Sequence, residues 1–357
     1  MTAARFYRIG LFLFCVFVLF SGCIRSNSYF VVGDQEQKEE LKQLYTLLET
    51  GDKKPESKFI LIQRITKILR TAGENEKLNL FLTTYVEKNS DDPFNGYYLL
   101  MVAQNYMEED AYPFAIHYFE RILKNHSDLL VRDKSVHYIC LRNLIQLVET
   151  PEVKVDYYKD LLSRFPDEID RGSTYYYLAK TYEKLGEWDL AIQAYGNFLK
   201  YPESQIAGIP DARNEAKMMV DYYTYDGRDW TMASLDELVK TIKWAIYRRD
   251  VQTLRYYMSK INFFTTSWEE QEIKSDDTFE YHLSAFLNSR IRYTEDIDKD
   301  SNAQEAYLRT TGWSYRIKTW YLYFRKVHFP ADPERHGRWE WAGIYFGEKP
   351  FAGSDEI

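Results

Sequence analysis

Four side chains near the C-terminus have the types and spacing to hold a metal ion. His328, Asp332, Glu334 and His336 fall within nine residues. Imidazole and carboxylate donors together suit a divalent transition metal. Asp332-Pro333 reads more naturally as a surface turn, so no metal site is assigned. Glu340 stands between Trp339 and Trp341. Burial would raise its pKa and fit it for acid catalysis, but an exposed strand face is its expected setting. No nucleophile or second carboxylate is patterned with it. G-x-S-x-G, H-E-x-x-H, Walker A and G-x-G-x-x-G patterns are absent. The sequence therefore predicts no catalytic residue, no metal, no cofactor and no enzyme. Aromatic faces are the more suggestive chemistry. Trp313, Trp339 and Trp341 could stack on a sugar or a ligand ring if they stood on an outer face; packing against helices is the alternative.

The chain that must position these groups has 357 residues, enough for about two domains. Hydrophobic residues make up 45% and charged residues 28%, which supports a folded core. A net charge of −8 argues against a nucleic-acid partner, which calls for a basic stripe. With 16 Gly and 10 Pro, long helices are favoured over a turn-rich all-β fold. The aromatic content is high, at 31 Tyr, 21 Phe and 8 Trp.

Residues 1–22 read as a targeting segment. Arg5 and Arg8 precede an uncharged apolar run from Ile9 to Phe20, too short for a membrane-spanning helix of about 20 residues. Ser21-Gly22-Cys23 follows. A cysteine after two small residues at the end of such a run resembles the lipobox of bacterial lipoproteins, in the looser form of spirochaetes, since Phe20 stands where Leu is usual. The resemblance implies lipid, palmitate included, on Cys23 and loss of residues 1–22. An uncleaved anchor and a signal peptide cut elsewhere are the alternatives, and all three export the chain. Of the remaining cysteines, Cys15 would leave with the signal segment. Cys140, in an apolar run, has no partner and reads as a buried small hydrophobe.

From Asp34 to about Asp226 the pattern is helix after helix, broken at Gly51-Asp52, Ala72-Gly73 and Ser90–Pro93. The segment 173–202 carries Leu178-Ala179 and Tyr182, then Gly186, then Trp188, Ala191, Tyr195 and Phe198, and ends at Pro202. It resembles a tetratricopeptide repeat (TPR). Segment 96–129 is a second copy, with Ala103, Tyr106, Ala115 and Phe119 at the same offsets and Asp110 for the turn glycine. Degenerate copies fit 138–164 and 58–88. In each clear copy the small alanines should be buried where two helices cross.

Composition shifts at Trp230, and seven of the eight Trp lie from there onward. Ser234–Glu237 offers a capping box. Helices are expected over 235–248, 251–260 and 279–289, with a short strand over 261–268. Thr319–Phe329 and Arg338–Phe346 read as an antiparallel β-hairpin, with a further strand expected over 313–318.

The fold expected is thus mainly α: a TPR-like helical-hairpin superhelix, then a small α+β domain with an aromatic-rich antiparallel hairpin. The domain plan is a signal peptide at 1–22, a lipidated tether at 23–36, repeats at 37–226, the aromatic domain at 230–350 and a flexible tail at 351–357. The TPR resemblance implies a groove lined by the first helix of each repeat. Its positions are Tyr97, Leu100, Gln104 and Met107 in the early copy, and Ser173, Tyr176, Lys180, Glu183 and Lys184 in the later one. The function expected is a scaffold, lipid-anchored in the cell envelope, that binds protein partners and touches the membrane through its lipid, with no nucleic acid. The alternative is an envelope lipoprotein that holds a small molecule or glycan on its C-terminal aromatics and docks to a transporter through its repeats.

Overall fold

A computed structural model describes residues 27–225, 227, 230–268 and 279–350. The expected signal segment, Cys23 and the 351–357 tail lie outside the described residues. Thirteen α-helices and a C-terminal sheet make up the described chain. No helix among the described residues is long and apolar enough to cross a membrane. The chain divides into two compact units, residues 1–166 and 167–357. The expected boundary lay at 226–230. By contacts, the repeat-like segment 173–202 belongs with the sheet.

The first unit is a run of helical hairpins: α1 (Gln35–Thr50), α2 (Pro55–Thr71), α3 (Asn75–Lys88), α4 (Asn95–Glu108), α5 (Tyr112–Asn125), α6 (Val136–Leu147) and α7 (Pro151–Arg164). Asp34 starts α1 with a full capping box, its carboxylate accepting from the Gln37 amide while the Gln37 side chain accepts from the Asp34 amide. Pro55 and Pro151 occupy first-turn positions, where the missing N–H costs nothing. Ala103 and Ala115 are fully buried, as are Phe119, Ile65 and Leu82. The expected free tether is shorter than drawn. Phe30 packs on Tyr45 and Phe81, and Val32 is buried, because these apolar groups have a core to join. Between α5 and α6 lies a two-residue-per-strand hairpin, β1 (Leu130–Val131) and β2 (Lys134–Ser135). Arg132 and Asp133 turn it with φ of 53° and 61°, the twist that matches antiparallel strands.

The second unit opens with the hairpin α8 (Arg171–Leu185) and α9 (Trp188–Phe198), followed by α10 (Ala212–Thr224), α11 (Leu235–Arg248) and α12 (Val251–Tyr257). The Ser234 side chain accepts from the Glu237 amide, so it caps α11 as expected. Next come β3 (Phe264–Ser267), α13 (Phe279–Phe286), β4 (Arg292–Tyr293), β5 (Glu305–Thr311), β6 (Thr319–Lys326) and β7 (Trp339–Phe346). The sheet order is β3-β7-β6-β5-β4; β3 runs parallel to β7 and every other pair is antiparallel. The expected hairpin is β6–β7. The strand expected over 313–318 is instead β5. Gly312, with φ 88° and no room for a Cβ beside the Arg290 carbonyl, turns the chain there. Tyr315 and Ile317 are then left exposed.

One sheet face packs Leu308, Trp320, Leu322, Phe324 and Trp341 with Leu238, Ile242 and Leu283 from the helices. The other face carries Tyr307, Tyr321, Tyr323 and Tyr345; β5 and β6 alternate as the pleat requires, and a register shift opposite Tyr323–Phe324 puts Trp341 and Tyr345 of β7 on opposite faces. Trp268 stacks on Tyr345 there, with ring centroids 4.2 Å apart. The Lys349 ammonium lies 4.0 Å from the Tyr307 ring centroid and 5.3 Å from that of Tyr321, and is paired with Asp298 at 3.0 Å.

One turn recurs in both units. At Gly73, Asp110, Gly186 and Arg249 the chain goes left-handed, with φ between 56° and 72°. Each residue donates its amide to a carbonyl three residues back, and the next residue donates to one five back. This is the Schellman helix stop, which glycine adopts without strain and other residues do not.

Candidate functional site

Helices α2 and α4 open consecutive hairpins, and a cleft of about 300 Å³ lies between them. Tyr97 and Met101, one turn apart on α4, form one wall; Gln63, Lys67 and Arg70 form the other. Arg132, presented by the β1–β2 turn, completes the lining. No carboxylate lines the cleft, so its three cations face it unopposed. Arg70 is held in place from behind: its guanidinium donates to Asn105 Oδ1 at 3.0 Å. Asn105 Nδ2 in turn donates to Asn79 Oδ1 at 2.9 Å, in the core. An aromatic and a thioether beside three cations, one of them held in place, suit an extended chain that carries apolar and acidic groups.

Of the early-copy positions expected to line a groove, the structure places Tyr97 in this cleft. Leu100 is buried in the core, and Gln104 and Met107 are half-buried. The cleft takes positions four apart on α4, so Met101 replaces them. Lys67 and Arg70 were missed although they are legible, three residues apart on the polar side of α2. Arg132 had no readable signal, because its turn lacks the usual Asn-Gly.

The later-copy positions form no comparable cleft. Tyr176 is only 1% exposed; it meets Tyr195 and Phe198 edge-on within its own hairpin. Its ring is needed to fill the space between α8 and α9, so it is not free of the core. Lys180 pairs with Glu183, which also accepts from the Tyr195 hydroxyl at 2.7 Å. The Ser173 hydroxyl bonds the α8 N-cap Asp170, and Lys184 is exposed. The partner alanines Ala179 and Ala191 are fully buried.

The expected ligand aromatics are core residues. Trp313 is buried and stacked on Trp320 at 5.0 Å, with its N–H donating to Thr310 Oγ1. Trp339 and Trp341 are buried too. A small sheet packed on one helical layer must fill its interior with large side chains, and these serve.

Glu340 overturns the exposed-face expectation: it is fully buried. Its Oε1 accepts from the Tyr222 hydroxyl and from Arg325 Nε at 2.7 Å. Its Oε2 accepts from Trp230 Nε1 at 2.7 Å and Ser259 Oγ at 2.8 Å. Burial, then the Glu340 charge, raises the Tyr222 phenol well above its ordinary pKa. Burial opposes the Arg325 charge while Glu340 favours it, and the balance raises its pKa further. With both oxygens occupied by donors, this carboxylate ties α10, the 230 and 259 segments, β6 and β7 together. In the 328–336 turn, the Asp332 carboxylate accepts from Arg335 at 2.8 Å and from the Glu334 amide at 3.0 Å. His336 Nδ1 accepts from the Phe329 amide. Asp332 is thereby a turn-forming residue, as its pairing with Pro333 suggested.

The comparisons with known proteins meet this geometry at one place. The tetratricopeptide-repeat family model matches residues 173–204, the α8–α9 hairpin and the stretch that follows it. No curated protein matches the chain.

Proposed function

We propose that this protein is a bacterial cell-envelope scaffold, lipid-anchored through Cys23, whose α2–α4 cleft binds an acidic, extended segment of a partner protein. The carrying observation is the cleft itself, where Tyr97 and Met101 lie beside Lys67, Arg70 and Arg132 with no carboxylate in the lining. The repeat at 173–204 supports the general class, protein–protein interaction. The anchor rests on Arg5, Arg8, the Ile9–Phe20 run and Ser21-Gly22-Cys23. Three acyl chains on one cysteine would hold firmly, since stable attachment takes at least two membrane signals.

Cross-linking in the native envelope identifies the partner, and a Tyr97→Ala/Lys67→Glu double variant tests the site. The variant should bind at least about tenfold more weakly and keep its helical circular dichroism. Equal binding overturns the cleft as the site. Mass spectrometry of the mature N-terminus should find acylated Cys23; an intact Met1 or a bare thiol there overturns the anchor. A ligand-binding lipoprotein that uses Trp313, Trp339 and Trp341 loses its basis, because all three indoles are buried.

A further inference from the structure

The second unit has a cleft that the scaffold reading does not use. It has a volume of about 740 Å³ and lies between the C-terminal end of α11 and residues 288–293. Arg248, Arg249 and Arg292 line it, together with Tyr247, Tyr293 and Ser289, and no carboxylate does. This is a concentration of positive charge on a chain of net charge −8. Among the described residues, none of the three guanidiniums has an ion-pair partner. Asp250 feels Arg248 but commits its oxygens to capping α12 at Thr253.

Arg292 is fixed. Its Nη1 donates to the carbonyls of Ser289 and Ile291, both at 2.9 Å, which leaves three of its five N–H groups for a ligand. Arg248 lies over the Trp244 ring at 4.8 Å, and Trp244 with Tyr247 and Tyr293 lines an adjoining cavity of about 500 Å³. Lys240 and Lys243 stand there with Asp236, Glu295 and Asp296, carboxylates that line this cavity and not the three arginines' cleft. Tyr247 is 79% exposed, an aromatic surface that a purely solvated helix face has no use for. Arg249 occupies the left-handed turn position that holds glycine at Gly73 and Gly186. A guanidinium is kept there at the expense of backbone strain, and such strain gathers at functional positions.

We propose that this cleft binds a phosphate ester. The three arginines would take the phosphate oxygens, and Tyr247, Tyr293 and Trp244 the organic part. Guanidinium groups match tetrahedral oxyanions with paired N–H bonds, and aromatic faces accept ring or acyl groups without demanding a sequence or a stereochemistry. The phosphate could arrive on a phospholipid headgroup or on a soluble ester. Neither source depends on the α2–α4 cleft.

Isothermal titration of the full chain separates the sources, with inorganic phosphate, glycerol 3-phosphate and monomeric dihexanoylphosphatidylglycerol as probes. Binding at about millimolar or tighter, weakened by added salt, is expected for at least one ester. Preference for the lipid assigns the headgroup; equal binding of glycerol phosphate assigns a soluble ester. Arg249→Glu and Arg292→Glu should each weaken binding at least about tenfold. Arg249→Gly should weaken binding yet raise the melting temperature, opposite signs that a merely structural arginine would not give. The proposal is overturned if no ester binds at about 10 mM. It is equally overturned if the Glu variants bind like the parent, or if hexaglutamate binds more tightly than every phosphate.

Discussion

The two units bury polar groups in different ways. In the first, a fully buried side-chain link is neutral: Asn79 and Asn105 bond to each other, and Asn105 reaches out to an exposed Arg70. In the second, a full ion pair, Glu340 with Arg325, sits inside with three further donors around the carboxylate. The neutral link needs little desolvation and leaves its cation at a cleft, where it is available for binding. The charged node takes two ions out of water, and it is tolerable only because every oxygen is satisfied. One arrangement serves a surface; the other fixes the mutual positions of segments far apart in sequence.

All eight tryptophans lie in residues 167–357. Tryptophan emission therefore reports the second unit alone, while helical circular dichroism reports both. The largest expected effect is at the charged node. Glu340→Ala leaves Arg325 buried without its partner and should cost about 3–5 kcal/mol, read as a lower urea midpoint in tryptophan emission. An added Arg325→Met should recover much of that loss. If the single variant is as stable as the parent, the contrast between the units fails.

Next come the helix crossings. Ala179→Leu should destabilise by about 1–3 kcal/mol through overpacking, again visible in tryptophan emission. Ala103→Leu should cost a similar amount, visible in circular dichroism but silent in tryptophan emission if the units unfold separately. A shared, simultaneous loss in both signals would show them to be one cooperative body.

The recurring turn gives smaller effects of opposite sign. Gly186 has open space where a Cβ would stand, so Gly186→Ala costs only backbone strain, about 1 kcal/mol. Asp110→Gly should gain by relief of the same strain, by roughly 0.5–1 kcal/mol, and thermal melts decide both.

The smallest effect is a pH dependence confined to the first unit. His137 donates from Nε2 to the His126 carbonyl, and its Nδ1 accepts from Arg164. Burial chiefly, with Arg164 adding to it and Asp128 opposing, lowers its pKa. The unfolded chain takes up this proton near pH 6.5 while the folded chain resists it. Stability from this group is therefore complete above about pH 6.5 and declines as pH falls toward the folded value. Circular-dichroism melts between about pH 7 and 5 should show the decline, reduced in His137→Gln.

Much of the helical framework was legible because its signals are local. Gly186 and Gly73 mark turns, buried alanines mark crossings, and Leu178 with Tyr182 on α8 and Ala191, Tyr195 and Phe198 on α9 fall at helical spacing. The β6–β7 hairpin announced itself through aromatics bounded by Pro and Gly. What the sequence hid depends on distant partners. Glu340 reads as a polar strand residue until Arg325, Tyr222, Trp230 and Ser259 are brought around it, from as far as 118 residues away. Tyr176 carries the same letter as the half-buried Tyr97 but lies opposite Phe198. The cleft cations come from two separate elements, Lys67 and Arg70 from α2 and Arg132 from a turn whose residues do not advertise it.

The sheet order has a consequence for synthesis. β7 is the last strand along the chain, yet it lies inside the sheet between β3 and β6. The helical hairpins close on near neighbours and can form as they leave the ribosome, whereas β3 must wait for a parallel partner some eighty residues later. Until β7 has been made, β3 has no strand to pair with, and the donors gathered around Glu340 lack their carboxylate. The growing chain therefore carries an unfinished sheet edge for about eighty residues of the second unit's translation. A stalled or truncated product ending before residue 339 should be the form that aggregates or recruits chaperones, while the first unit ahead of it is already folded.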